Sequence, residues 1–163
     1  MKPRRIARRL ALDVLYEAEI RDSLPQEAFE ARTKEGWVVP APDDQAPPEE
    51  VEGVVAPAEE APTEEALGYA WELVAGVQAH QADADVLIAR YADRWAIQRM
   101  PVVDRTLLRM ALYELLWRDD IPVPVAINEA VELAKELSTD ESGRFVNGLL
   151  GRICEQERAH PED

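Results

Sequence analysis

"PVVDRTLLRMALYELLWR", residues 101–118, distributes Val103, Leu107, Leu108, Ala111, Leu112, Leu115 and Leu116 around most of the circumference of a helix. A helix with one wet side carries a single apolar stripe, whereas one that is apolar nearly all round is enclosed by other helices. Pro101 opens it, since a proline suits the first turn, where its missing N–H has no helical acceptor to lose. The stretch predicts the middle helix of a bundle. The flanking segments must then supply the helices that surround it.

They do. Downstream, residues 125–137 set Ile127, Ala130, Val131, Ala134 and Leu137 on one face and Asn128, Glu129, Glu132, Lys135 and Glu136 elsewhere. Ser138 with Glu141 predicts a capping box for a last helix, whose Val146, Leu149, Leu150 and Ile153 repeat at helical spacing. Gly148 and Gly151 each weaken that helix by about 1 kcal/mol relative to alanine. They predict a close crossing by a neighbour, with Asn147 bonding backbone across it. Upstream, residues 3–20 form a helix with Pro3 in its opening turn, and Ser23 is placed to cap a shorter one over 24–32. Thr63 caps a helix whose first turn holds Glu64 and Glu65, matching the helix dipole. This one is expected to run to about His80, with a short helix following near 83–92. No strand pattern competes, so the fold class is all-α.

Residues 33–62, "TKEGWVVPAPDDQAPPEEVEGVVAPAEEAP", interrupt the helical pattern. They hold six of the twelve prolines and eight acids against one lysine. Prolines remove backbone donors, like charges repel, and the remaining Val and Ala bury too little to offset ordering entropy. The segment reads as a flexible acidic insertion, with Trp37, Val38 and Val39 as a local hydrophobic anchor. The whole chain, 1–163, is then one helical domain carrying that insertion and a polar tail at 158–163.

Composition bounds the chemistry. Hydrophobic residues make up 47% of the chain, enough for a packed core. Cys154 is the only cysteine, so no intrachain disulfide can form and a reducing, cytoplasmic setting is expected. No apolar run reaches the roughly 18 residues a membrane helix needs. The histidines are His80 and His160, too few with one cysteine for an ordinary structural zinc site. Phosphate-binding glycine motifs are missing, and the paired acids Asp43–Asp44, Asp83/Asp85 and Asp119–Asp120 fall in the insertion or at helix ends. No catalytic constellation, metal site or cofactor is expected.

The charge distribution is the functional clue. The chain carries a formal charge of -15, which opposes polyanion binding by the surface as a whole. Yet Lys2, Arg4, Arg5, Arg8 and Arg9 crowd the first nine residues, with no acid before Asp13. On a helical wheel Arg5, Arg8, Arg9, Leu12 and Tyr16 share one arc. Ala7, Leu10, Ala11, Val14, Leu15 and Ala18 occupy the opposite side, which enters the core. Guanidinium groups grip phosphates and stack on bases, and tyrosine offers an unstacked base a flat face. An outward strip of this kind suits single-stranded RNA. The reading requires that the guanidinium groups are neither buried nor spent on the chain's own carboxylates. A solvated helix face is the plainer alternative for the same residues.

Four stretches together, "RRIARRLALDVLYEAE", "VVDRTLLRMALYEL", "IPVPVAINEAVELAKEL" and "SGRFVNGLL", resemble the NusB transcription antitermination factor family in order and approximate spacing. The resemblance implies a helical bundle of two small packed subdomains. It also implies recognition of boxA-type RNA in ribosomal RNA leader transcripts, jointly with the ribosomal protein NusE. That pair joins other antitermination factors on RNA polymerase. Family RNA contacts map onto Lys2, Arg4, Arg5, Arg8, Arg9 and Tyr16, and onto Glu141, Arg144 and Phe145 before and within "FVNG". Spacing alone places Phe145 at the edge of an apolar stripe, where core packing competes with base stacking. Partner-protein contacts map onto Asp104, Arg105 and Glu114. Two departures stand out: the family joins its second and third helices briefly, where this chain inserts 33–62, and Ile6 breaks the arginine run. The insertion could fold over the basic strip at low salt, although passive tolerance of a long surface loop is the simpler expectation. The alternative function is a protein-binding scaffold, or a homodimer with the basic strip in its interface.

Overall fold

Leu107, Leu108, Ala111, Leu112 and Leu115 are all buried, and the helix that carries them touches four others. The computed structural model describes residues 2–37, 61–93 and 95–159 of the 163. Six helices run in order: α1 (Pro3–Arg21), α2 (Pro25–Glu35), α3 (Glu64–Tyr91), α4 (Val102–Leu116), α5 (Val123–Leu137) and α6 (Asp140–Ala159), with a 3₁₀ turn at Ile97–Arg99 before α4. Among the described residues there is no strand. The first three helices pack on one another, as do the last three, and α4 joins the groups by lying against α1, α3, α5 and α6. One continuous apolar cluster runs through both groups, from Ala7 and Leu10 to Leu150 and Ile153. Each fully buried leucine contributes about 1.5–3 kcal/mol relative to exposure, so the central helix is the main organiser of the core.

Local chemistry explains the helix ends, sometimes differently from expectation. Thr63 caps α3 as anticipated, its Oγ1 accepting from the Ala66 N–H at 3.2 Å. The cap of α6 is Thr139 rather than Ser138: the Ser142 N–H donates to Thr139 Oγ1 at 3.0 Å, and Ser138 instead meets the Ser142 hydroxyl. Ser23 does not cap α2 either. Leu24 holds the cap position and Pro25, with its preset φ, starts the helix. Ser23 closes α1 instead, its N–H reaching the Ala18 carbonyl while Asp22 adopts a left-handed φ of 52°. Helix α2 continues through Thr33, Lys34 and Glu35 and ends at Gly36, whose φ of +100° favours glycine. Trp37 then packs edge-on against Phe29 at 4.9 Å, the local anchoring expected of it. Residues 38–60, most of the acidic insertion with Val38 and Val39, lie outside the described residues, as do residues 160–163 of the tail.

The expected break after His80 is absent, and α3 is one helix of 28 residues. The polar run "HQADAD" resembles a connection but contains no glycine or proline to end a helix. Ala84 and Ile88 return to the core, and Asp85 receives two hydrogen bonds from Arg109 of α4 at 2.8 and 3.0 Å. The close helix approach also lies elsewhere than predicted. A Cβ at Gly148 or Gly151 would meet nothing, and both Gly148 and Asn147 are exposed. At Gly76, by contrast, a Cβ would clash with the outer edge of the Tyr113 ring. Gly76 is what lets α3 and α4 come together. Gly76→Val is therefore expected to destabilise the fold by about 1–3 kcal/mol, read in urea unfolding, and Tyr113→Leu should recover part of the loss.

Candidate RNA interface

Because α1 is flanked by α2, α3 and α4, its buried arc is wider than half its circumference. The inward stripe is as expected: Ala7, Leu10, Ala11, Val14, Leu15 and Ala18 are buried. The arc extends to two residues assigned to the outward strip, Leu12 at 2% exposure and Arg8 at 4%. Arg8 is thus corrected from an RNA-facing to an interior residue. Its Nε and Nη2 donate to Glu114 Oε1 and Oε2 at 2.8 and 2.7 Å, and the Tyr69 hydroxyl donates to the same Oε2 at 2.8 Å. Burial opposes the charge on Arg8, but the paired Glu114 more than restores it and raises its pKa. Burial, reinforced by Glu114, pushes the Tyr69 phenol above its usual range and keeps it a neutral donor. Glu114 is itself 2% exposed.

That burial also removes Glu114 from a protein-facing surface, contrary to the partner assignment. Asp104 is corrected in the same way: it is fully buried, and its Oδ2 accepts from the Ser142 hydroxyl at 2.8 Å. The bond ties the first turn of α4 to the first turn of α6. Arg105 reaches the Met100 carbonyl at 3.1 Å and pairs with Glu19, leaving 15% of its side chain exposed. Asp104 and Glu114, read as an interface, instead hold the bundle together, while Arg105 keeps part of its side chain at the surface.

The remaining strip residues face out. Lys2, Arg4, Arg5 and Tyr16 are exposed, and Arg9 is half-buried. Ile6, the interruption in the arginine run, packs against the core. The guanidinium groups are not unspent, however, as the sequence reading had required. Arg4 Nη2 meets Asp120 at 3.1 Å, Arg5 meets Glu129 through Nε and Nη2 with a shortest contact of 2.9 Å, and Arg9 Nη1 meets Glu136 at 2.8 Å. Such exposed pairs are worth only about 0–1 kcal/mol each, so they leave the strip available to a stronger anion in a way the Arg8 pair does not.

At the Lys2 end, the Arg4 and Arg118 guanidinium groups lie 4.9 and 5.0 Å from the Tyr69 ring centre. Both also hold Asp120, whose carboxyl is lowered to about 2, first by the Arg118 hydrogen bonds. At the other end, Arg9 against Glu136 brings the middle of α1 beside the end of α5, one short connection before α6. There Glu141 and Arg144 are exposed, while Phe145 is half-buried and stacks edge-on against Trp95 at 4.7 Å. Among the described residues no hydrogen bond or ion pair joins these three to the α1 arginines. Tyr69 was missed by sequence reading. The available signal was Glu114 itself, an acid seven positions after Leu107 and so on the apolar face of the central helix, where a charge needs a buried partner.

Among the described residues no helix is long and apolar enough to cross a membrane, and no three His, Cys, Asp or Glu side chains gather as metal ligands. The comparisons with known proteins agree with the helical arrangement. The transcription antitermination protein NusB of Salinispora arenicola is 47% identical over 155 residues, spanning 95% of this chain and 97% of that protein. A solved structure of T. maritima NusB superposes with a TM-score of 0.73 at 32% identity, covering 96% of this chain and 93% of that one. A chain from a crystal structure of the antitermination factors NusB and NusE in complex with dsRNA gives 0.73 at 25% identity, covering 96% and 99%. The NusB family model matches residues 5–155, and this chain belongs to the NusB family.

Proposed function

We propose that this chain is a transcription antitermination factor that binds boxA-type, single-stranded RNA along the outer face of α1, acting together with the ribosomal protein NusE. It is an adaptor without catalytic activity and works in the cytoplasm, where it reaches other antitermination factors and RNA polymerase through that complex. One observation carries the reading: within a strongly acidic chain, α1 carries Arg5, Arg9 and Tyr16 on one outward arc, with Lys2 and Arg4 exposed at its start. A solved relative with the same helical arrangement comes from a complex of NusB and NusE with dsRNA, which supports RNA and NusE as partners and leaves the single-stranded form to the α1 surface. The guanidinium groups supply attraction and register, and Tyr16 supplies a base-stacking face. Glu141, Arg144 and Phe145 at the start of α6 extend the surface, with Phe145 presenting the part of its ring that Trp95 leaves uncovered. With Asp104 and Glu114 buried, Arg105 is the remaining candidate from the earlier partner set for contact with NusE.

Titration of a boxA-like RNA with and without NusE tests the assignment. Arg5→Ala and Arg9→Ala should each weaken binding and take about 0.7 from the slope of log affinity against log salt, the value per phosphate contact on a single strand. For Arg5→Ala folding stability should change by less than about 1 kcal/mol, because its lost ion pair is at the surface. Wild-type affinity and slope in both variants would defeat the assignment.

A further inference from the structure

Arg4, Arg5 and Arg9 are each matched to a carboxylate from one neighbouring edge of the fold, Arg9 also having Asp13 of its own helix 3.6 Å away. Arg4 meets Asp120 in the connection after α4, Arg5 meets Glu129 on α5, and Arg9 meets Glu136 two turns further along α5. Glu129 and Glu136 are seven residues apart and so project from the same side of α5. The two ends of the Arg5–Glu129 pair differ in access: 60% of the Arg5 side chain is exposed against 16% for Glu129. Glu129 engages the Nε–Nη2 edge, the edge a phosphate would take in a two-point contact.

We infer that Glu129 and Glu136 are affinity-setting residues of the RNA interface, intramolecular competitors that RNA phosphates must outweigh at Arg5 and Arg9. The inference rests on the proposed RNA-binding role of α1. A carboxylate on the same rigid body is always present at its arginine, so it lowers the charge that an incoming strand feels whether or not it is fully displaced. Stray contact of the basic strip with polyanions is held down, and an RNA that also gains base contacts at Tyr16 can still bind. This gives the acidic edge of α5 a function that solubility alone would not require of paired, half-shielded groups.

The test measures binding of a boxA-like single-stranded RNA to the full chain and to E129Q, E136Q, R5A and the R5A/E129Q pair. Each variant's thermal midpoint is checked alongside. E155Q, on the exposed face of α6, controls for the loss of one negative charge. E129Q and E136Q are each expected to bind about threefold to fivefold more tightly than wild type, with E155Q showing a smaller gain. The E129Q gain should fall away once Arg5 is absent, because the two residues act on one another. E129Q binding that equals wild type, or is weaker because Glu129 instead holds Arg5 in place, overturns the inference. So does a gain that persists undiminished with R5A, or one matched by E155Q. In each of those cases R5A alone still weakens binding if the proposed function is right; unchanged binding by R5A and R9A is the separate result that removes the RNA reading itself.

Discussion

Glu114→Ala should destabilise the protein by about 3–5 kcal/mol, because it leaves the Arg8 charge buried with no counter-charge. At this chain length that corresponds to a fall in Tm on the order of 10 °C. The same cluster predicts a second, milder variant. Replacing Arg8, Tyr69 and Glu114 together by Met, Phe and Leu removes the charges and the phenol that depend on one another, so most of the lost stability should return. Tyr69 must be included, since its hydroxyl donates to Glu114 and would otherwise be stranded in the interior. Calorimetry on the two variants distinguishes an ion pair that holds the fold from one that merely occupies it. RNA titration of the triple variant decides a further point: affinity close to wild type is expected, since Arg8 is interior. A loss comparable to that of Arg5→Ala would return Arg8 to the RNA contacts. Tyr69 adds a pH signature. Because its folded pKa is raised by burial and by Glu114, its contribution is intact below the ordinary tyrosine pKa of about 10 and is lost as pH rises beyond it. Tyr69→Phe should flatten that alkaline decline.

The same residues show how far sequence reading reaches. Periodicity located the helices because burial enforces it: Leu107 to Leu115 repeat as they do because four helices surround them. The inward face of α1 was equally legible. The wheel failed at its margins, at Arg8 and Leu12, since it gives an angle and not the number of neighbours, and α1 has three. Polarity misled in a related way at Asp104 and Glu114, which look like surface residues until the hydroxyl of Ser142 and the guanidinium of Arg8 are placed beside them. The ion pairs of Arg4, Arg5 and Arg9 join residues more than a hundred positions apart, beyond any local pattern. Small residues misled too. Gly148 and Gly151 suggested a crossing that the fold makes at Gly76 instead.

Tyr16→Ala should produce the largest loss of RNA affinity among the surface substitutions. A base stacked on an aromatic ring is worth about 1–3 kcal/mol, which is roughly a 5- to 150-fold change in binding. Tyr16 is 42% exposed, so folding stability should stay within about 0.5 kcal/mol of wild type. Tyr16→Phe should bind nearly as tightly as the parent, because the stacking face is kept. The salt dependence separates this role from that of the arginines. Phosphate contacts release counterions and base stacking does not, so Tyr16→Ala should lower affinity with the slope unchanged, whereas Arg5→Ala should lower both. Phosphate contacts carry no direct sequence information, so discrimination of boxA-type RNA from a scrambled strand should shrink in Tyr16→Ala and persist in Arg5→Ala. The opposite pattern, with discrimination intact after Tyr16→Ala, would move base recognition to Phe145 and the start of α6, where Phe145→Ala then becomes the decisive variant.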